Sequence, residues 1–264
     1  MDIRELNEKI KNCNKCRLSK TRTHALTGEG NLNARVMVIA QAPGEKEDKN
    51  GRMFIGPSGK VLDKLLKLSG IKRKDIYMTN LIKCILPNYR KPKQDEIEIC
   101  SSYLDMEIEL IQPEVLVPLG HYSTLYILKK YNISLPSPQE FYKVYGKIFL
   151  SNNKKILPLQ HPAALLYNPS LEEIMIKNYR KLKILSEDCK WFEVCPMKEF
   201  YEKGLLDRKW VELYCKGDWE NCIRYQMEEQ GKVHEDWLLP DGSIDKSLQK
   251  YVKDSRKNDT HYSL

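Results

Sequence analysis

The sequence has no long apolar run. Nothing in its 264 residues approaches the roughly 18 to 20 consecutive apolar residues of a membrane span, which excludes a helical membrane protein. No secretory leader is expected either, since the opening MDIRELNEKIKNC reads as a charged amphipathic helix. A cytoplasmic, nucleoid-associated monomer with no membrane contact is expected. Without a secretory segment the eight cysteines are not expected to form disulfides, and metal ligation is their expected use. Negative charge is scarce in one part of the chain only. Residues 188–264 hold 13 Lys and Arg against 16 Asp and Glu, whereas residues 1–187 hold 31 against 20. That basic body fits a polyanion, nucleic acid first, although a surface kept soluble by lysines explains the same numbers. The first 187 residues also lack tryptophan: all four, Trp191, Trp210, Trp219 and Trp237, lie beyond them. The chain is therefore read as a main domain over 1–187, a small Cys/Trp-rich region over 188–245 and a charged, disordered tail over 246–264.

What is present centres on residues 35–66. Val36 to Ala40 is an apolar run of the length of a buried parallel strand. Val61, Leu62, Leu65 and Leu66 follow at helical spacing. The loop between them carries Pro43, Gly44, Gly51, Gly56, Pro57 and Gly59. A strand feeding a glycine-rich loop and a helix start is where an open α/β sheet places its ligand. Ser58 is expected to cap that helix, whose free N–H groups favour a phosphate. Phe54 stands alone among polar residues, and there it can offer a flat face to a ring. Further strands are predicted over 75–82 and 114–119, and a hairpin over 147–150 and 155–159. Helices are predicted over 92–111, from Gly120 to about Lys130, and over 170–186. Asn80 falls at the ligand edge of its strand, where it reads either as a contact or as a strand-end cap. His121 opens a helix and is read as a cap or a packing residue.

The cysteines form two quartets. Cys13 and Cys16 make a C-x2-C turn, and Cys84 and Cys100 follow after 67 and 15 intervening residues. Such a set holds zinc or an iron–sulfur cluster, and spacing alone does not separate them. Cys189, Cys195, Cys215 and Cys222 are separated by 5, 19 and 6 residues. A segment that short builds a small core, so a second iron–sulfur cluster or zinc is expected there, with His234 able to replace one thiol. The bland reading is four buried free thiols.

The opening motif, Ala40-Gln41-Ala42-Pro43-Gly44, then Glu47-Asp48, Gly51, Phe54, Gly56 and Gly59, resembles the first motif of the uracil-DNA glycosylase superfamily, above all its family 4. His161-Pro162-Ala163-Ala164-Leu165-Leu166-Tyr167-Asn168-Pro169 resembles the second motif, with Tyr167 where an Arg is common. The resemblance spans about residues 10–187 and leaves the C-terminal region uncovered. It implies a central, mostly parallel four-stranded sheet between helices, with a site at the strand C-termini. The first cysteine quartet would hold a 4Fe–4S cluster in a structural role. DNA containing uracil would be the substrate: the base is flipped out and its N-glycosidic bond hydrolysed, leaving an abasic site. Asn80 would read the O4 and N3–H edge of uracil, and Phe54, Ala42, Gly44 and Ser58 would line its pocket. His161 would stabilise the departing uracil anion, and Leu165 and Leu166 would wedge into the base stack. Family 4 has Glu where this chain has Gln41, and Gln cannot accept a proton. Water held by backbone and Gln41, or activation by Glu47 or Asp48, would repair that loss. The alternative is a nucleic-acid-binding protein of the same fold with weak or no excision, or one acting on another base or on RNA.

Overall fold

A computed structural model describes residues 1–152 and 154–252. The chain divides into two compact units, Met1–Ser186 and Glu187–Leu264. Among the described residues no helix is long and apolar enough to cross a membrane.

The first unit is built on a sheet of β1 (Glu29–Gly30), β2 (Val36–Ala40), β3 (Tyr77–Asn80), β4 (Val115–Pro118), β5 (Phe149–Ser151) and β6 (Lys154–Ile156), in the order β1-β3-β2-β4-β6-β5. The four-strand expectation is corrected to six. Four strands, β3, β2, β4 and β6, are parallel, and β1 and β5 add short antiparallel edges. Every residue of β2, β3 and β4 is buried, as sheets covered on both faces require. Their side chains alternate between two cores. Met37, Ile39, Tyr77 and Leu116 enter one; Val36, Val38, Met78, Val115 and Val117 enter the other.

Helices α1 (Ile3–Lys11), α4 (Gln94–Ile111) and α5 (His121–Lys130) supply the first core. Helices α3 (Pro57–Leu68) and α7 (Glu172–Ser186) supply the second. Two short helices complete the unit, α2 (Glu45–Asn50) and α6 (Ala164–Tyr167). Helix α1 starts on a capping box in which the Asp2 carboxylate accepts from the Arg4 and Glu5 amides, fixing the chain just ahead of Cys13. The chain leaves β2 toward β3 and leaves β4 in the opposite direction. The ends of β2 and β4 thus flank the crevice where open α/β sheets bind ligands.

The second unit contains α8 (Pro196–Glu202), α9 (Arg208–Trp210) continuing into a π-helical turn Val211–Cys215, and α10 (Ile223–Glu229). Its core is small: Phe192, Met197, Phe200, Leu206, Val211, Cys215, Leu239 and Leu248. Part of the tail expected to be disordered is ordered: Lys246–Tyr251 forms a 3-10 helix with Leu248 buried. Residues 253–264 lie outside the described residues.

Candidate active site

A cavity of about 410 Å³ opens at the C-terminal ends of β2 and β3. Gln41, Ala42, Gly44, Phe54, Ser58, Asn80, His161 and Leu166, all singled out in the sequence, line it together. Leu165 does not: it packs, half-buried, against the core on the α3 and α7 side. Leu166 and Tyr167 stand exposed at the rim, Tyr167 at 88%. Ser58 is not the helix cap expected. The N-cap of α3 is Gly56, because Pro57 takes the first helical position its ring favours, and Ser58 falls inside the first turn.

The loop after β2 is not irregular throughout. Residues Glu45–Asn50 form α2 and carry two buried carboxylates, Glu47 and Asp48. Asp48 accepts the backbone N–H groups of Thr23 and His24 at 3.0–3.3 Å, which ties this loop to the segment after the first cysteine pair. Glu47 accepts the Gly56 N–H at 2.7 Å. Gly44 makes room for that carboxylate, since a Cβ there would lie 2.6 Å from Glu47 Oε2.

Phe54 sits at φ 51°, a left-handed conformation costing on the order of 1–3 kcal/mol for a non-glycine residue. Two features hold it there. Arg73 donates to the carbonyls of Met53 and Phe54 while pairing with Asp63 at 3.0 Å. Gly59 also lets the Phe54 carbonyl approach, because a Cβ would meet its oxygen at 1.8 Å. The Phe54 ring then lies 6.4 Å from the His161 ring at 27°, so two flat faces stand one above the other across the cavity wall.

His161 follows the strand region ending in Leu159 and accepts the Ala163 backbone N–H on Nδ1 at 3.2 Å. The proton of the neutral ring therefore sits on Nε2. Burial pushes the imidazole down to about 4, so it is neutral at neutral pH. Asn80 is 2% exposed, and its Nδ2 donates to Met53 Sδ at 3.1 Å. Thioether sulfur is a weak acceptor, so a carbonyl oxygen entering the pocket displaces it readily. Behind Asn80 a buried cluster stiffens β3. Lys83 bridges Thr79 and Glu107, and Glu107 also accepts the Gly28 N–H at 3.1 Å.

The rim includes residues the sequence reading passed over: Leu86, Tyr89 and Arg90, from the segment after β3. Tyr89 is 74% exposed at φ 53°, and its hydroxyl donates to Glu45 at 3.3 Å. A tyrosine inside the polar run Asn88-Tyr89-Arg90-Lys91 was the available signal. His121 lies outside the cavity and packs on Phe141 with ring centroids 4.4 Å apart.

Cys13, Cys16, Cys84 and Cys100 line one small cavity with Arg22, Lys83 and Tyr103. Arg22 donates to Cys84 Sγ at 3.2 Å, and the Lys83 backbone N–H donates to Cys100 Sγ at 3.2 Å. Burial pushes the Cys84 thiol up and the Cys100 thiol to about 12. Among the described residues no three His, Cys, Asp or Glu side chains converge as the ligands of one ion.

The Uracil DNA glycosylase superfamily matches residues 27–187. The chain belongs to that superfamily. It is 44% identical over 181 residues to the type-4 uracil-DNA glycosylase of Saccharolobus solfataricus, covering 67% of this chain and 82% of that protein. It is 38% identical over 181 residues to the type-4 uracil-DNA glycosylase of Thermotoga maritima, covering 67% of this chain and 91% of that one. A type-5 uracil-DNA glycosylase of Pyrobaculum aerophilum is 32% identical over 154 residues, covering 53% of this chain and 66% of that protein.

Proposed function

We propose that this member of the uracil-DNA glycosylase superfamily removes uracil from DNA and leaves an abasic site. The observation that carries the reading is the convergence of Asn80, Phe54 and His161 on one cavity at the sheet's ligand edge.

The target nucleotide is extruded at a cost of a few kcal/mol in lost stacking. Leu166 and Tyr167, exposed at the rim, would fill or stack on the vacated space. Phe54 offers its face to the flipped base. The Asn80 amide then pairs with O4 and N3–H of uracil; cytosine, with N4–H2 and a bare N3, mismatches both atoms. As the N-glycosidic bond breaks, its electron pair goes to the base and charge grows on O2. His161 Nε2–H donates there as a neutral imidazole. A donor of this kind contributes about 3 kcal/mol to the transition state. Water adds to C1′ and its proton leaves to solvent or to a phosphate oxygen.

Cys13, Cys16, Cys84 and Cys100 are the proposed ligands of a 4Fe–4S cluster. Their fit rests on four thiols around one cavity, with Arg22 and the Lys83 amide donating to sulfur as they would to bound thiolates. The cluster would be structural, tying the end of α1 to the segment after β3 and to α4, and so supporting Asn80 from behind.

Gln41 favours a second reading, in which the protein binds a base and cuts it slowly. Asp48 is engaged by two backbone amides and is not placed as a substitute base, whereas Glu47 lines the cavity. The test is an end-labelled oligonucleotide with one uracil, incubated with anaerobically purified protein and then treated with hot alkali. Strand cleavage at uracil, absent at thymine and lost in Asn80→Ala, is the expected result. Intact binding without cleavage would leave only the second reading.

A further inference from the structure

The four C-terminal cysteines lie beyond the matched superfamily region, which ends at residue 187. In the folded second unit, Cys189, Cys195, Cys215 and Cys222 surround a single cavity of about 80 Å³, although they span 34 residues of sequence. The Cys189 amide donates to the Cys215 carbonyl at 2.7 Å, so the two halves of the quartet are joined by backbone as well. We propose that this quartet holds a second iron–sulfur cluster, of the 4Fe–4S class, bound by sulfur alone.

Four observations support the assignment. The donor set is all thiol. The other two possible ligands lining the cavity, His234 and Glu228, lie against each other, with His234 Nε2 3.1 Å from the Glu228 carboxylate and its Nδ1 3.2 Å from the Glu235 carbonyl. Soft thiolate sets of this kind select iron–sulfur clusters or zinc. The sulfurs are also withdrawn from solvent: Cys215 and Cys222 are buried and Cys189 and Cys195 half-buried.

Charge gives the third observation. Arg224 is 3% exposed and lines the cavity. Its Nη1 donates to the carbonyls of Glu235, Asp236 and Leu238 at 2.9–3.1 Å, and its Nε has no hydrogen-bond partner among the described residues. A buried cation held by neutral carbonyls needs an anion nearby, and four metal-bound thiolates supply net negative charge. The fourth is shielding and room. Trp191, Phe192, Trp219 and Tyr225 wall the cavity with apolar faces, and the space exceeds the N-terminal cysteine cavity of about 10 Å³. The unit has a use for the staple, since its apolar core consists of few side chains.

The test is the metal content of the anaerobically purified full-length protein, read as iron, acid-labile sulfide and zinc per chain and as intact mass under native conditions. Two clusters predict roughly eight irons and eight sulfides, falling to roughly half in either Cys13→Ala/Cys84→Ala or Cys195→Ala/Cys222→Ala. If only the N-terminal cluster is absent, the iron that remains is lost with the C-terminal pair, which separates that failure from this one. Iron that disappears entirely with the N-terminal pair, or one zinc per chain lost with the C-terminal pair, would overturn the assignment. Should the C-terminal variant not fold, the native mass of the unaltered protein decides alone, by showing or lacking the second cluster's mass.

Discussion

The two sides of the active-site cavity are equipped differently. On the side that would meet the base, every group is held by something else. Phe54 is locked at a positive φ by Arg73 and Gly59, His161 is fixed in one tautomer by the Ala163 amide, and Asn80 rides on a strand braced by Lys83 and Glu107. On the side that would meet water, Gln41 brings an amide where family 4 has a carboxylate, and Asp48 is tied to the backbone. On the proposed reading, recognition and leaving-group stabilisation are thus provided for, while position 41 offers no carboxylate to accept a proton. Breaking an N-glycosidic bond by dissociation tolerates that imbalance, because most of the barrier lies in separating charge between base and sugar. Preorganised donors act on that separation directly.

Variants can break or sharpen this contrast. The largest effect is expected on the base side. His161→Ala removes the donor to O2 and lowers single-turnover uracil release by roughly 100- to 1000-fold, with DNA binding little changed. Asn80→Ala leaves the pocket without its reading edge and lowers release by about 10- to 100-fold, as expected when a buried hydrogen-bond partner is lost. The water side responds in the opposite direction. Gln41→Glu is expected to raise the rate by about tenfold, short of the full range of general-base catalysis, because charge separation still dominates. An unchanged rate would mean that water is already activated by another group, Glu47 being the carboxylate at hand.

A pH profile separates the two sides without substitution. The folded-state value of His161 is about 4, against 6.5 for an unperturbed ring. Between those values the unfolded chain binds the extra proton and the native state does not. This residue's contribution to stability is therefore complete above 6.5 and is lost as pH falls toward 4. Excision is expected to hold its rate well below pH 6.5 and to fall only near pH 4, measured as release rate under single turnover. A midpoint near 6.5 would mean that the ring is not desolvated in the working enzyme. The smallest effect belongs to the rim. Tyr167→Ala should weaken DNA binding by a few-fold to about tenfold, the worth of one stacked base, with the rate on bound substrate little altered.

Much of this was legible in sequence because the signals were strong and local. The apolar run 36–40, Asn80 at a strand end and the His161-Pro162 segment after a strand all report their places in a parallel sheet. The elements that escaped are those whose reasons are tertiary. Strand β1 is two residues, Glu29–Gly30, with no apolar pattern, and it exists because the edge of β3 offers hydrogen bonds. Helix α2, EKEDKN, is polar throughout, yet it buries Glu47 and Asp48 because backbone amides of other segments receive them. Ser58 carried a cap signal that Pro57 overrode. Leu165 and Leu166 look equivalent in sequence, but a short helix turns one into the core and the other to the rim. Tyr89 was missed because an exposed tyrosine in a basic loop has no periodicity to mark it.

The most direct test is the amount of free uracil released in one turnover at neutral pH from a duplex carrying a single labelled uracil, by the unaltered protein and by His161→Ala at equal DNA occupancy. One uracil per bound site from the unaltered protein, and a release at least about 100-fold slower from the variant, is the predicted result. No free uracil from the unaltered protein, or equal rates from the two, would contradict the account.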